Sequence, residues 1–306
     1  MIYKKLTNKD IGEVAELIYR NNIIRAYNIG YCSRKQDKVY KETEELFYRP
    51  DSCFYGAYPS DKGNNSKLFG VLGFDYDQVA KNCEVWGPFI ETDDEMLWQK
   101  TAKELWDKLL ISNFEINKLL FFINVENQRC AIFLKNINAE YINSNFIAIL
   151  ERNEFIKKKS RTIEELTDEY YERFISLHDQ LFSDAYYNGH DLINMQNPFS
   201  KIYIAKEKNG DISGYVCVDV NGRTFFANIE YLGINPEYKS NDCGVALLNE
   251  AIDWIFSFNQ VSNIVLCVEG NSGALGLYLK TGFAVKDEFN FYSKNFSKGS
   301  NLTYTI

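Results

Sequence analysis

Apolar positions along the chain switch repeatedly between a period of two and a period near 3.6, which predicts strands and helices in alternation. Residues 1–6 read as a strand, and Thr7 or Asn8 can cap a helix that places Ile11, Val14 and Ile18 on one face. A second helix is predicted over 38–47, then strands over 53–58, 67–75 and 83–90. A helix over 94–110, a strand over 118–125, a helix over 128–135 and a strand over 139–151 follow. A similar order restarts near Lys158. Thr167 is the expected cap of a helix carrying Tyr170, Phe174, Leu177 and Leu181 at 4-3-4 spacing. Strands over 202–206, 214–220 and 224–234 form a predicted meander. Then come a helix over 245–258, a strand over 263–268, a helix over 272–281 and a last antiparallel pair around 283–292 and 302–306. Such an order predicts an α/β (α+β) fold, with a mixed, mostly antiparallel twisted sheet flanked by helices in each half.

The two halves share punctuation at an offset of roughly 144–146 positions. Gly70-Val71-Leu72-Gly73-Phe74-Asp75 matches Gly214-Tyr215-Val216-Cys217-Val218-Asp219, and Glu84-Val85-Trp86-Gly87 matches Glu230-Tyr231-Leu232-Gly233. Val125-Glu126-Asn127 precedes Phe133-Leu134-Lys135, as Val268-Glu269-Gly270-Asn271 precedes Tyr278-Leu279-Lys280. Four matches in one order predict a tandem duplication, with domains 1–156 and 157–306 joined by the basic, glycine-free stretch 157–161.

Composition narrows the function classes. At 306 residues and 45% apolar content, each half can bury its own core. Net charge is −8 and neither half has a basic footprint, which argues against a nucleic-acid partner. A mildly acidic surface favours a cationic acceptor, although acidic surfaces also serve solubility alone. Seven scattered cysteines with no CxxC pair suggest free thiols in a reducing compartment. Two histidines are too few for a His-based metal cluster, so no metal is expected. No signal peptide or membrane span is read, and a cytoplasmic protein without a membrane partner is the expectation.

The chemistry concentrates between Ile229 and Phe283. The helix over 245–258 carries two adjoining apolar stripes, Val245, Leu248, Ile252 and Ile255 beside Leu247, Ala251, Trp254 and Phe258, so it is expected to be buried. The loop before it, Lys239-Ser240-Asn241-Asp242-Cys243-Gly244, presents the positive end of that helix and its unpaired N–H groups. Such an end suits an anion. Without a ligand, the same loop reads as a helix entry capped by Asp242. Downstream, Asn271-Ser272-Gly273-Ala274-Leu275-Gly276-Leu277-Tyr278-Leu279-Lys280-Thr281-Gly282-Phe283 carries a second pattern.

Together these segments resemble the acetyl-CoA-binding half of the GNAT N-acetyltransferase family, in a two-domain layout similar to mycothiol synthase. The family's loop pattern is Arg/Gln-x-x-Gly-x-Gly/Ala, and its later segment reads Asn-x-x-Ala-x-x-Leu-Tyr-x-x-x-Gly-Phe. The resemblance implies acetyl transfer from acetyl-CoA to a small-molecule or peptide amine by direct attack. It implies that Leu232, Gly233 and Ile234 pair with the pantetheine arm and that Lys239, Ser240, Asn241, Asp242, Cys243, Gly244 and Val245 hold the pyrophosphate. It also implies that Asn271 contacts the cofactor and that Tyr278 is the acid for the leaving thiolate. Glu230 is the candidate base, with Ile229 and Tyr231 expected on the opposite face of the strand. Asp242 departs from the family glycine, and a carboxylate near a phosphate is repelled by about 4 kcal/mol at an effective dielectric of 20. Its side chain is therefore expected to turn to solvent. Cys243 reads as a small loop residue, His178 as structural, and Tyr186, Tyr187 and His190 as a pocket wall or surface aromatics.

The first half lacks these features. Its loop is Phe89-Ile90-Glu91-Thr92-Asp93-Asp94-Glu95, and Phe133 or Leu134 stands where Tyr278 would be. It is expected to keep the fold without the chemistry. The competing reading is a non-catalytic acyl-CoA-binding or scaffold protein in which both copies are degenerate.

Overall fold

The computed structural model describes residues 1–60, 67–110, 116–158, 161–183, 185–238 and 241–296, Asn241 by its backbone alone. The chain forms two compact units, Met1–Asn145 with Glu288–Ile306, and Phe146–Asp287.

In the first unit the order is β1 (Ile2–Lys5), α1 (Ile11–Asn22), α2 (Gln36–Tyr48), β2 (Ser52–Tyr58), β3 (Gly70–Asp77), β4 (Asn82–Ile90), α3 (Glu95–Leu110), β5 (Lys118–Asn124) and α4 (Gln128–Asn136). Strands β1 to β4 pair antiparallel with their neighbours, and β5 joins β4 in parallel. Successive residues Gly70–Phe74 of β3 are all buried, so both faces of this sheet are covered. Here α1 packs on β3 and β4, and α3 on β2 and β3.

Parallel pairing of β4 with β5 stops at Glu84 and Leu120, after which the strands part. The chain fills that gap with its own backbone. Ile29 bridges Ile123, and the Gly30 amide donates to the Phe122 carbonyl at 2.7 Å. Asn22 fixes this segment: its Nδ2 donates to the carbonyls of Cys32 (2.8 Å) and Ser33 (3.1 Å), and its Oδ1 accepts from the Ile29 amide at 2.8 Å.

The second unit has β7 (Ile163–Glu165), α5 (Tyr171–Leu181), α6 (Gly189–Asn194), β8 (Ser200–Lys206), β9 (Ile212–Val220), β10 (Ala227–Ile234), α7 (Asn241–Ser257), β11 (Asn263–Glu269) and α8 (Leu275–Lys280). An antiparallel sheet runs in the order β10-β9-β8-β7. The period-two alternation of β9 divides two cores. Val216, Val218 and Val220 pack with Leu247, Leu248, Ala251, Ile252 and Ile255 of α7, while Tyr215 and Cys217 pack with Phe174 and Leu177 of α5. Arg152 donates to the carbonyl of Phe256 in the last turn of α7 and to those of Phe258 and Val261 just beyond it.

The long strands β6 (Glu140–Glu151) and β12 (Ala284–Asn295) explain the unit boundaries. Residues 146–151 of β6 lie beside β11 in the second unit, whereas Phe289–Asn295 of β12 pair antiparallel with β5 in the first. A division at 156/157 is therefore displaced, because each unit takes an edge strand from beyond that point in sequence. The anticipated pairing of 283–292 is met by β5, and its anticipated partner 302–306 lies outside the described residues.

Other expectations shift. The helix expected from Val245 begins at Asn241, and the one expected from Ser272 begins at Leu275. Thr167 does not cap a helix with its side chain; a 3-10 turn over Asp168–Tyr170 precedes α5. The loop-like stretch after Asn188 holds α6, with Asn188 as its cap. No helix among the described residues is long and apolar enough to cross a membrane.

Candidate active site

Strand β10 carries a bulge. Ile229 pairs with Val218 and Tyr231 with Cys217, leaving Glu230 as an extra residue without an opposite number. A bulge resets the alternation of side chains. Asn228 lies opposite Asp219, so the extra residue brings Asn228, Glu230 and Tyr231 to the face that also bears Asp219 and Cys217. The expectation that Tyr231 and Glu230 point to opposite faces is thereby corrected. Desolvation of Glu230, followed by a hydrogen bond and repulsion from Asp219, raises its pKa to about 7; a contact with Asn228 opposes the rise. Cys217 and Tyr231 are pushed up by burial first and by the Glu230 charge second or later.

Beyond the bulge, Leu232, Gly233 and Ile234 pair with β9 on one side only. Their other edge belongs to no ladder among the described residues, since β10 ends its sheet and β11 belongs to another. Gly233 is imposed by a neighbour: an added Cβ would lie 2.4 Å from the Tyr215 ring. Tyr215 is held in turn by His178, whose Nδ1 lies 2.7 Å from its hydroxyl and whose Nε2 lies 3.0 Å from the Tyr187 carbonyl. That carbonyl can only accept, so Nε2 carries the proton and the Tyr215 hydroxyl donates to Nδ1. His178 is fully buried and structural, and it fixes Tyr187, which is half-buried; Tyr186 and His190 are exposed.

The first turn of α7 supplies the next group. Lys239 and Ser240 lie outside the described residues. Asn241 opens the helix and Asp242 is exposed, in the first turn where a carboxylate is favourable. Cys243 is not a loop residue. Its thiol is buried, sits 3.6 Å from the Ser213 hydroxyl, and is raised in pKa by desolvation. Gly244 is buried against α8, where an added Cβ would lie 3.1 Å from Leu277, so its smallness serves helix packing. Val245 is half-buried.

Asn271 precedes α8 in an exposed turn and makes no hydrogen bond through its side chain among the described residues; Ser272 ties the turn by donating to the Glu269 carbonyl at 2.7 Å. Gly273 has a φ of +70° and open space where a Cβ would stand. Tyr278 is 8% exposed, edge-on to Phe283 at 5.5 Å, and burial raises its pKa. Its hydroxyl has no hydrogen-bond partner among the described residues. Thus the structure joins the end of β10, the first turn of α7 and α8 through the Gly244–Leu277 and Gly244–Ile234 contacts.

The first unit treats the same places differently. Asn127 caps α4 by accepting from the Cys130 amide at 3.2 Å. Arg129 bonds the carbonyls of Thr92 (2.6 Å) and Asp93 (3.0 Å) and pairs with Glu95 at 2.9 Å. The entry to α3 is therefore occupied by the protein's own charges, and Asp94 caps it by accepting from the Leu97 amide. Phe133, at the place of Tyr278, is buried against Trp106. Among the described residues no group of three His, Cys, Asp or Glu is placed to hold a metal.

Sequence reasoning missed that Asp219 shares a face with Glu230. The repeat comparison had already set it beside Asp75, as it had set Glu230 beside Glu84, and that double coincidence was the available signal.

Known proteins agree with this geometry. Residues 161–283 match the family model described as Acetyltransferase (GNAT) family. A GCN5-related N-acetyltransferase from Sphaerobacter thermophilus superposes with a TM-score of 0.64 at 12% identity, over 96% of this chain and 95% of its own. A tandem GNAT protein from the clavulanic acid biosynthesis pathway gives 0.53 at 12% identity, over 96% and 98%. A GNAT-family acetyltransferase from Colwellia psychrerythraea gives 0.51 at 9% identity, over 97% and 100%. No curated protein matches the sequence. Residues 161–283 are thus similar in sequence to the GNAT acetyltransferase family, and the chain as a whole shares its fold with GNAT acetyltransferases, a tandem GNAT protein among them.

Proposed function

We propose that the protein is an N-acetyltransferase that moves an acetyl group from acetyl-CoA to an amine, with one active site, in the second unit. The observation that carries this reading is the contrast between the units. At the turn before α8, Gly273 faces open space and the Asn271 side chain makes no hydrogen bond among the described residues, whereas Arg129 and Asn127 use the matching turn internally. The gap beside β10 has no inserted strand among the described residues, whereas Ile29 bridges Ile123 in the first unit.

The residues present fit acetyl-CoA. The free edge of Leu232–Ile234 offers backbone groups to the amide-bearing arm. Amides of Asn241–Gly244 lack intrahelical acceptors and favour the pyrophosphate, with Lys239, Ser240 and Val245 beside them in sequence. Asn271 offers an amide side chain. Acetyl-CoA supplies an electrophilic thioester carbonyl. Glu230 takes the proton from the acceptor nitrogen, and Tyr278 holds a proton on Oη for the departing sulfur. The acceptor is a small-molecule or peptide amine.

Titration calorimetry of the full chain with acetyl-CoA tests this directly. One mole should bind per chain, and Gly273→Arg should abolish binding by placing a side chain in that open space. Absence of binding, or binding that survives Gly273→Arg unchanged, overturns the assignment. Binding without CoA release across a panel of primary amines favours an acyl-CoA-binding protein instead.

A further inference from the structure

The carboxylate pair on β9 and β10 sets a condition on the acceptor. Asp219 lies opposite Asn228, and the bulge at Glu230 brings both carboxyls to one face. Glu230 is exposed and Asp219 half-buried, so the pair opens to solvent. Neither forms an ion pair with a Lys or Arg among the described residues. The groups acting on Glu230 are Asp219 from β9 and Asn228 from β10, and Glu230 acts in turn on Cys217 of β9 and Tyr231 of β10.

The first unit shows what a compensated version looks like. Asp75 stands directly opposite Glu84 on the equivalent strands. There Arg49 pairs with Asp75 at 2.8 Å and with Asp51 at 2.9 Å. Two carboxylates on neighbouring positions repel unless a proton or a cation joins them. In the first unit the protein supplies the cation. In the second, the described residues supply none.

Resting on the acetyl-transfer reading above, we propose that Asp219 and Glu230 act as one pair that receives the acceptor as an ammonium ion, Asp219 positioning and tuning Glu230 as the base. The proton step balances simply. An N–H bond of the ammonium breaks, an O–H bond forms on Glu230, and the nitrogen keeps its electron pair for attack. The pair then carries one proton and one negative charge. The acceptor is thus a primary amine that is cationic in solution, and Asp219 is a positioning residue.

Carboxyl carbons of the full-length protein labelled with [13C]glutamate report the pair without any acetyl donor. The Glu230 signal is assigned by its loss in Glu230→Gln. It should titrate far above the ordinary glutamate value of about 4.3. Asp219→Asn should lower its midpoint by about one unit or more, and Asp219→Glu should keep it high, since restoring the neighbouring charge restores the coupling. At pH 8, n-butylammonium should shift the signal and n-butanol should not. An ordinary midpoint in the wild type, an unmoved midpoint in Asp219→Asn, or equal effects of the amine and the alcohol would each overturn the proposal. Should Asp219→Asn fail to fold, Asp219→Glu and the amine–alcohol comparison still decide. The acidic limb of kcat/KM for n-butylamine should follow the same midpoint. Loss of acetyl-CoA binding with a raised midpoint would defeat the acetyl-transfer reading alone, so the two failures are told apart.

Discussion

Replacing Gly233 by alanine tests how the second unit packs the sheet face that bears Glu230. An added Cβ would stand 2.4, 2.6 and 2.9 Å from Cε1, Cζ and Oη of Tyr215. Non-bonded carbons prefer about 3.5–4.0 Å, so the ring must retreat by roughly an ångström. It has no room to do so. Tyr215 is fully buried, edge-on to Phe174 at 4.9 Å, and tied to His178 at 2.7 Å. Overpacking of this kind costs about 1–3 kcal/mol, and a broken buried hydrogen bond adds about 0.5–1.5. A total of about 2–4 kcal/mol lowers Tm by roughly 4–15 °C at the 2–4 °C per kcal/mol expected of units this size. Scanning calorimetry of the full chain measures it, with Gly276→Ala as the control. Gly276 lies in α8 with nothing within 4 Å of an added Cβ, so alanine there should leave Tm unchanged or raise it. A Gly233→Ala protein that melts within a degree of wild type would refute the reasoning.

Tyr278→Phe keeps the ring against Phe283 and removes only a hydroxyl that has no partner among the described residues; turnover should fall about 10²–10⁴-fold while acetyl-CoA affinity changes by less than tenfold, as kinetics and calorimetry would show. Asn22→Leu should destabilise the first unit by several kcal/mol, at about 1–3 kcal/mol for each of the Ile29 amide and the Cys32 carbonyl deprived of the Asn22 side chain, measured by denaturant titration. For pH, the sign follows from Glu230, whose folded pKa is raised. Its contribution is fully present below about pH 4.5 and is lost as pH rises through about 7, so Tm should fall across that window and fall less in Glu230→Gln.

Hydrophobic periodicity made the fold legible because most elements bury one face. The strands of the first unit and the helix now called α3 lie within a few residues of their predicted places. Misses cluster where local rules compete with capping or exchange. The family's loop pattern places Asn241–Gly244 before the helix, yet an acidic first turn and the Gly244–Leu277 contact suit a helix there, and α7 begins at Asn241. Strand β12 was given a partner nearby in sequence. Its partner β5 is remote, and no pattern of apolar residues encodes which edge a strand will join.

The site was legible in its residue types and much less so in its geometry. Glu230 could be chosen from sequence, but a single unpaired residue decides which face it shares, and period two alone assigns Tyr231 to the wrong side. The expectation that the first copy lacks the chemistry rests in sequence on its acidic loop, and the structure adds internal contacts at the same places. Arg129 turns those same carbonyls and carboxylates inward, and the Asn28–Gly30 backbone takes up the hydrogen bonds that β5 would leave open. A degenerate copy must still satisfy its buried polar groups. In the first unit Arg129, Asn22 and Ile29 supply such internal partners. In the second unit the corresponding partners are missing at the β10 edge, at Asn271 and at Tyr278, among the described residues. Under the acetyl-transfer proposal those are the groups that an acyl-CoA would satisfy, the buried hydroxyl of Tyr278 above all.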